Sequence, residues 1–259
     1  DMNKVVTLIN EGEKNLKLQN HFSSILNVDQ TVQFFKYHKD HSGAPDNARV
    51  HSCLGPLSGS WTTCVPKDPQ SSMDNESTRL VFSLRLGIPI TGASAWCSLC
   101  RTHIDKYAIH PFSCPHQRSR LLDKHDSFVR QFKILASLAG VNPKDRNLTL
   151  FNSISPNDLR RADLLLSGMG QGGRDLLIDF VFSDPRCASH CSQAALAHQQ
   201  LCKKKAAFKR LKYLQACHRA GYSFLPGSME IFGTAIDELF ELIKALVEKA
   251  SSRSHIPFH

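Results

Sequence analysis

The sequence predicts a mixed α/β domain in which one β-sheet is flanked by helices, and three observations carry that prediction. The first is a helical repeat, with Phe128, Phe132, Leu135 and Ala139 spaced by four, three and four residues. The second is a change of period just beyond it, where Leu148 to Ile154, Arg161 to Ser167 and Asp175 to Phe182 are apolar runs of strand length. The third is a return to helix over Gln193 to Arg219, followed by an extended stretch at Tyr222 to Phe232 and an amphipathic helix at Ala235 to Ala250. Helix, three strands, helix, strand and helix leaves room for one sheet covered by helices.

Taken in order, Val5 to Leu26 has an amphipathic helical pattern, and the polar stretch ending in Ser42 to Asn47 reads as a connector. Residues 1–60 are therefore expected to be a helical connector. Because the chain starts with Asp1, it reads as a piece of a longer polypeptide whose other part lies before it. Pro66 to Asn75 is a surface loop by composition, and Thr78 to Leu86 is helical until Gly87 and Pro89 stop it. Residues 61–122 form a helical segment carrying a cysteine and histidine cluster. The core is expected over 123–250, with a tail at 251–259. Its first helix runs from about Asp123 to Ala139, with Gly140 as the stop. The Gly-rich turn Gly168 to Gly173 joins the second and third strands. On the long helix, Ala197, Leu201, Phe208 and Leu211 are expected to face the core, bordered by Lys205, Lys209 and Lys212.

No apolar run approaches the roughly 20 residues of a membrane-spanning helix, and the first residues lack the apolar block of a signal peptide. The net charge of +9 is unevenly placed: between Asp184 and Glu230 there is no acidic residue and there are eight basic ones. A field of that kind attracts phosphate backbones by releasing their counterions, and it also attracts anionic membranes. Nine cysteines, an odd number, suggest metal binding more than disulfides. Cys53, Cys64, Cys187, Cys191, Cys202 and Cys217 have no second metal spacing and read as reduced thiols.

Cys97, Cys100, His110 and Cys114 form C-x2-C-x9-H-x3-C, three thiolates and an imidazole suited to tetrahedral zinc. The two-residue gap lets both leading cysteines face one ion, and the arc Pro111 to Ser113 can bring His110 and Cys114 to its other side. His103 or His116 could replace His110. Four protein ligands leave no open position, which makes the zinc structural.

Asp163 and Asp179 each sit in an apolar strand, where a buried charge is costly unless compensated. With the turn centred near Gln171, residue 163 faces residue 179, about 5 Å apart on the scale of cross-strand neighbours. A divalent metal between them is one compensation. Strand-end positions, or pairing with Arg160, Arg161 or Arg174, are the other.

Together these residues resemble, in order, the restriction-like endonuclease region at the C-terminus of non-LTR retrotransposon reverse transcriptases, which has the PD-(D/E)XK nuclease fold. The resemblance runs from about Trp61 to Ile243. It rests on the Cys97, Cys100, His110, Cys114 cluster, then Arg118-Ser-Arg120, Lys124-His125-Asp126, Arg161-Ala-Asp163, Asp179-Phe-Val and Lys209-Arg210-Leu-Lys212-Tyr213. Two features depart from the pattern. Ala162 stands where proline is usual, and Asp179 and Lys209 lie further apart than expected, which leaves Lys205 and Lys212 as alternatives for the lysine.

The resemblance implies a metal-dependent endonuclease that nicks target DNA by phosphodiester hydrolysis. Asp163 and Asp179 would hold Mg²⁺ or Mn²⁺, and Lys209 would orient water or stabilise charge. His125 and Asp126 would add a metal or phosphate contact, with Tyr213 completing the set. Arg118, Arg120, Lys124, Lys203, Lys204, Lys205, Arg210 and Lys212 would contact nucleic acid. The location implied is nuclear. The partner is DNA, with RNA engaged through the preceding part, and no membrane. The Tyr/Phe-x-Asp-Asp motif of a polymerase does not occur. The alternative is an inactive or domesticated nucleic-acid-binding module of the same fold.

Overall fold

The computed structural model describes residues 29–56, 58–60, 72–90, 95–145, 151 and 160–254. The chain divides into two units, Asp1–Gly43 and Ala44–His259. In the first, residues 29–41 are helical, and the amphipathic stretch Val5 to Leu26 lies outside the described residues. The second holds every other element.

That second unit starts with a helix, α1 (Ala44–Ser52), where a connector is expected. Its Ala48 is fully buried with Ala194 and Leu201, and the Ser52 carbonyl accepts a 2.7 Å hydrogen bond from the Thr234 hydroxyl. Residues 44–60 are thus part of the main unit. Their sequence hides this because several of their attachments are made through backbone carbonyls, those of Ser52, Cys53 and Ser58. Helix α2 (Asn75–Leu86) begins three residues before the expected Thr78. Asp74 caps it by accepting from the Ser77 N–H at 2.7 Å, and Gly87, at φ 71°, ends it.

A two-residue hairpin follows, β1 (Ala95–Trp96) against β2 (His103–Ile104). Beyond it come the single turn α3 (His110–Ser113) and the long helix α4 (Arg118–Leu138). Gly140, at φ 72°, stops α4, as its sequence position suggests.

The main sheet has the order β3-β4-β5-β6, with β3 (Pro143–Asp145), β4 (Leu164–Leu166), β5 (Leu176–Ser183) and β6 (Ser223–Glu230). The first three strands are antiparallel neighbours, and β6 runs parallel to β5. A parallel neighbour needs a crossover, and helix α6 (Gln200–Arg219) provides it. The mixed sheet flanked by helices is therefore present. Its first strand lies at Pro143–Asp145, while most of the expected strand Leu148 to Ile154 falls outside the described residues.

Strand side chains alternate between two cores. Leu164, Leu166, Ile178 and Phe180 pack with Val129, Phe132 and Ala136 of α4 and with Leu239, Leu242 and Leu246 of the last helix, α7 (Asp237–Ser254). Leu165 and Leu177 face the other way, onto Tyr213, Ala216 and Cys217 of α6. Covering β5 on both sides explains its nearly continuous apolar sequence. Pro226 is tolerated because β6 is an edge strand of the sheet. Gly227 stands opposite Phe180 and leaves room for its ring.

The expected single helix from Gln193 to Arg219 is broken into α5 (Cys191–Ala194) and α6. The break comes at Gln199, at φ 63°. Its buried side-chain amide donates to the Ala235 carbonyl at 2.8 Å and the Asp237 carboxylate at 2.7 Å, tying the start of α6 to the start of α7.

The expected core stripe of α6 is also corrected. Leu201 is buried, but Ala197 lies before the helix, Phe208 is 67% exposed and Leu211 is 87% exposed. The buried stripe is Leu201, Cys202, Ala206, Tyr213, Ala216 and Cys217. Two apolar stripes compete on this helix. The one with small residues wins because it lets the helix approach the sheet while Tyr213 reaches a hydrogen-bond partner.

Candidate functional site

The cysteine and histidine cluster forms one compact group. The ligand atoms of Cys97, Cys100, His110 and Cys114 all lie within 4.8 Å of one another, and among the described residues no other group of three or more Cys, His, Asp or Glu does so. The hairpin turn builds the first half. Cys97 receives the Arg101 N–H on its carbonyl at 2.9 Å and donates its own N–H to Thr102 at 2.9 Å. Asp105 builds the second half, its carboxylate accepting from the N–H groups of Tyr107, Ile109 and His110 at 2.9, 2.9 and 3.3 Å, which turns His110 inward.

Two sulfurs bound to one tetrahedral zinc at about 2.3 Å each would lie roughly 3.8 Å apart. Cys97 Sγ and Cys114 Sγ are 3.8 Å apart, and Cys100 Sγ is 3.1 Å from His110 Nε2. The set fits a metal such as zinc. Hydrogen bonds from Thr102 lower the Cys100 thiol to about 6, and backbone N–H groups lower that of Cys97. Burial raises that of Cys114. His103 stays outside the group and packs edge-on against Trp96.

The second constellation lies where β4 and β5 meet α4 and α6. The β4–β5 ladder pairs Leu164 with Ile178, so one further step would pair residue 163 with residue 179, as the turn centred near Gln171 requires. The Asp163 N–H instead donates to the Ile178 carbonyl at 2.9 Å, so the strand departs from regular pairing at this residue. Asp163 Oδ2 accepts from the Phe180 N–H at 2.7 Å and lies 3.2 Å from His125 Nε2 on α4. The other ring nitrogen, His125 Nδ1, is 3.1 Å from Asp126 Oδ1. Held between two carboxylates, chiefly by the bond to Asp163, His125 gains its proton more readily than an ordinary histidine.

Strand parity turns Asp179 onto the α6 face with Leu177, and there Lys209 Nζ contacts Asp179 Oδ2. Asp179 is only 4% exposed. Burial raises its carboxyl above the usual range, the Lys209 ammonium works against that, and the Asp163 charge adds to the rise. Four residues beyond Lys209 on the same helix, Tyr213 is 2% exposed and donates its hydroxyl to the Arg161 carbonyl at 2.6 Å. Burial, then the charge of Asp179, pushes that phenol up. Of the three candidate lysines, Lys209 makes the contact. Lys212 acts on Asp179 at longer range.

The remaining basic candidates are distributed around this site. Lys203 and Lys204 are exposed, Lys205 is half-buried, and Lys204 Nζ donates to Gln193 Oε1 at 2.8 Å. Arg210 turns away to Glu238 at 2.5 Å. Lys124 sits over the Phe112 ring at 4.9 Å, and the side chains of Arg118 and Arg120 lie outside the described ones.

One functional element has no counterpart in the sequence pattern. Arg186 makes a bidentate pair with Asp184 at 3.0 and 2.7 Å, donates to the Tyr107 carbonyl at 3.1 Å, and lies over the rings of Phe112 and Phe232. This buried clamp joins Tyr107 and Phe112, in the segment that carries the cysteine and histidine cluster, to Asp184 and Phe232 beyond the ends of β5 and β6. Its only sequence signal is Asp-Pro-Arg in a turn, which predicts the local pair and not the distant one. Comparison with known proteins adds no assignment, for no family model, curated protein or solved structure matches this chain.

Proposed function

We propose that this chain is a metal-dependent DNA endonuclease domain with the PD-(D/E)XK fold, of the kind that ends non-LTR retrotransposon reverse transcriptases. It would nick nuclear target DNA. The observation that carries the reading is that α4, the residue before β4, β5 and α6 bring together His125 with Asp163 and Lys209 with Asp179, while Tyr213 of α6 holds the Arg161 carbonyl. Asp184 is also buried, but its turn neighbour Arg186 satisfies it; Asp179 interrupts an apolar strand, and a local conflict of that kind is characteristic of functional positions.

In this reading Asp163 and Asp179 hold Mg²⁺ or Mn²⁺, which activates water and neutralises charge growing on the scissile phosphate. Two carboxylates supply the hard oxygen donors such ions prefer. Lys209, already in contact with Asp179, orients the attacking water or offers its ammonium to the phosphate. His125 holds the Asp163 carboxylate in place, with Asp126 on its outer nitrogen. Tyr213 is a positioning residue, fixing the backbone two residues before Asp163. The Cys97, Cys100, His110 and Cys114 cluster holds a structural zinc that folds the segment leading into α4.

Incubation of zinc-loaded chain with supercoiled plasmid and Mg²⁺ or Mn²⁺ tests this. Nicking should occur and be abolished in Asp179→Ala with DNA binding retained. The alternative, a binding module of the same fold, is favoured by the direct contact of Lys209 with Asp179, which satisfies that carboxylate from within the protein. DNA binding by the wild-type chain without nicking would establish it.

A further inference from the structure

The solvent face of α6 carries two large apolar side chains, Phe208 at 67% and Leu211 at 87% exposure. Scattered exposed apolar residues are ordinary, but these two are neighbours at a spacing of three on one helix. The positions that flank Phe208 at spacings of three and four are Lys204, Lys205, Leu211 and Lys212, so three of its four helix neighbours are basic. No acidic residue occurs from 185 to 229 in the sequence, and the acidic group that Lys212 acts on is Asp179, at longer range. The one basic residue here that reaches a carboxylate of another helix, Arg210, turns to Glu238.

Exposed aromatic rings framed by cations are the composition of single-strand surfaces, where bases stack on the rings while lysines track the backbone. Placement sharpens this. The residue next to Phe208 is Lys209, in contact with Asp179, so Phe208 lies one residue from the lysine that meets this carboxylate.

We propose that Phe208, with Leu211 beside it, stacks on an unpaired nucleobase of the DNA strand whose phosphates are held by Lys204, Lys205 and Lys212. This rests on the reading of the chain as a DNA nuclease and names what the site requires of its substrate: a base open to stacking next to the phosphate that is cut. A fully paired duplex offers no such face without local unstacking.

Anisotropy of a labelled single-stranded oligonucleotide, with zinc-loaded chain in Mg²⁺-free buffer, tests the proposal without any cleavage. Phe208→Ala should lose about 10-fold or more in affinity, the scale of one stacked base. Its salt dependence should stay unchanged, because every lysine that holds a phosphate remains in place, and Phe208→Trp should retain the affinity. Lys204→Ala should instead flatten the salt dependence.

The proposal is overturned by unchanged affinity in Phe208→Ala, or by a loss accompanied by a flattened salt dependence. It is equally overturned if the wild-type chain self-associates through Phe208, or if it prefers vesicles of anionic phospholipid to DNA. Because Phe208 is exposed, circular dichroism of the variant should match wild type, which separates loss of stacking from loss of fold. Should nicking fail in Mg²⁺ while these results hold, the nuclease reading falls and the stacking residue stands.

Discussion

Replacing Lys209 with methionine removes a cation while keeping most of the apolar stem, so it isolates the ion pair with Asp179. The Asp179 side chain is 6% exposed and that of Lys209 is 19%. Removing one partner of a buried pair costs about 3 to 5 kcal/mol, because the other charge is left uncompensated. Partial exposure of Lys209 reduces this, so the expected loss at neutral pH is about 2 to 4 kcal/mol. The pH dependence identifies the cause. Burial holds the folded-state pKa of Asp179 above its ordinary value while Lys209 pulls it down, and in Lys209→Met that pull is gone. A carboxyl raised in the folded state binds its proton more tightly there, so its penalty is present above the folded pKa and fades as pH falls toward the unfolded value. The stability difference between wild type and Lys209→Met should therefore be largest near neutral pH and shrink on acidification. Urea unfolding followed by far-ultraviolet circular dichroism at matched pH measures it. A loss below about 1 kcal/mol, or one constant with pH, would refute the idea that Lys209 compensates a buried charge.

Three other outcomes are expected. The purified chain should contain about one zinc per molecule, and Cys97→Ser/Cys100→Ser should lose it and weaken the fold; full occupancy by metal analysis in that variant would exclude the cluster as the site. Gly227→Ala would place a Cβ within 2.2 Å of the Phe180 ring, an overpacking that should cost about 1 to 3 kcal/mol in the same unfolding assay. Replacing Lys203, Lys204 and Lys205 with alanine should weaken DNA affinity alike for all sequences and reduce the salt slope by roughly 0.9 for each duplex phosphate that is no longer neutralised; an unchanged slope would locate the phosphate-binding cations elsewhere.

The period of the sequence made the sheet and its flanking helices legible, because burial on both faces leaves β5 nearly continuously apolar and burial on one face gives α4 and α7 their repeats. The pairing of Leu164 with Ile178, one step short of Asp163 and Asp179, follows from a turn centred near Gln171. Three things were not legible. The break before α6 depends on Gln199 reaching Ala235 and Asp237, a contact across 36 residues or more that leaves no local pattern. Residues 44–60 look like a linker because their attachments are backbone carbonyls, such as the Cys53 and Ser58 oxygens that accept from Arg85. The phase of α6 differs from the expectation because Phe208 and Leu211 are more apolar than Cys202, Ala206 and Ala216, which are buried in their place. What decides the phase is how closely the backbone can approach the sheet, and hydropathy does not encode that.

The phase of α6 and the buried carboxylate are related. Asp179 breaks the expectation that charges stay outside, and Phe208 breaks the expectation that large apolar groups go inside. The helix segment 208–213 touches both, since Lys209 compensates the carboxylate and Tyr213 anchors the strand start. Rotating α6 to bury Phe208 would carry Lys209 away from Asp179 and Tyr213 away from the Arg161 carbonyl, leaving a charge and a carbonyl unsatisfied in the interior. Each such orphan costs on the order of 1 to 3 kcal/mol or more, comparable to the roughly 1.5 to 3 kcal/mol gained by burying one large apolar side chain. The observed phase therefore holds as long as both polar contacts are made, and the solvent exposure of Phe208 is a consequence of how Asp179 is held.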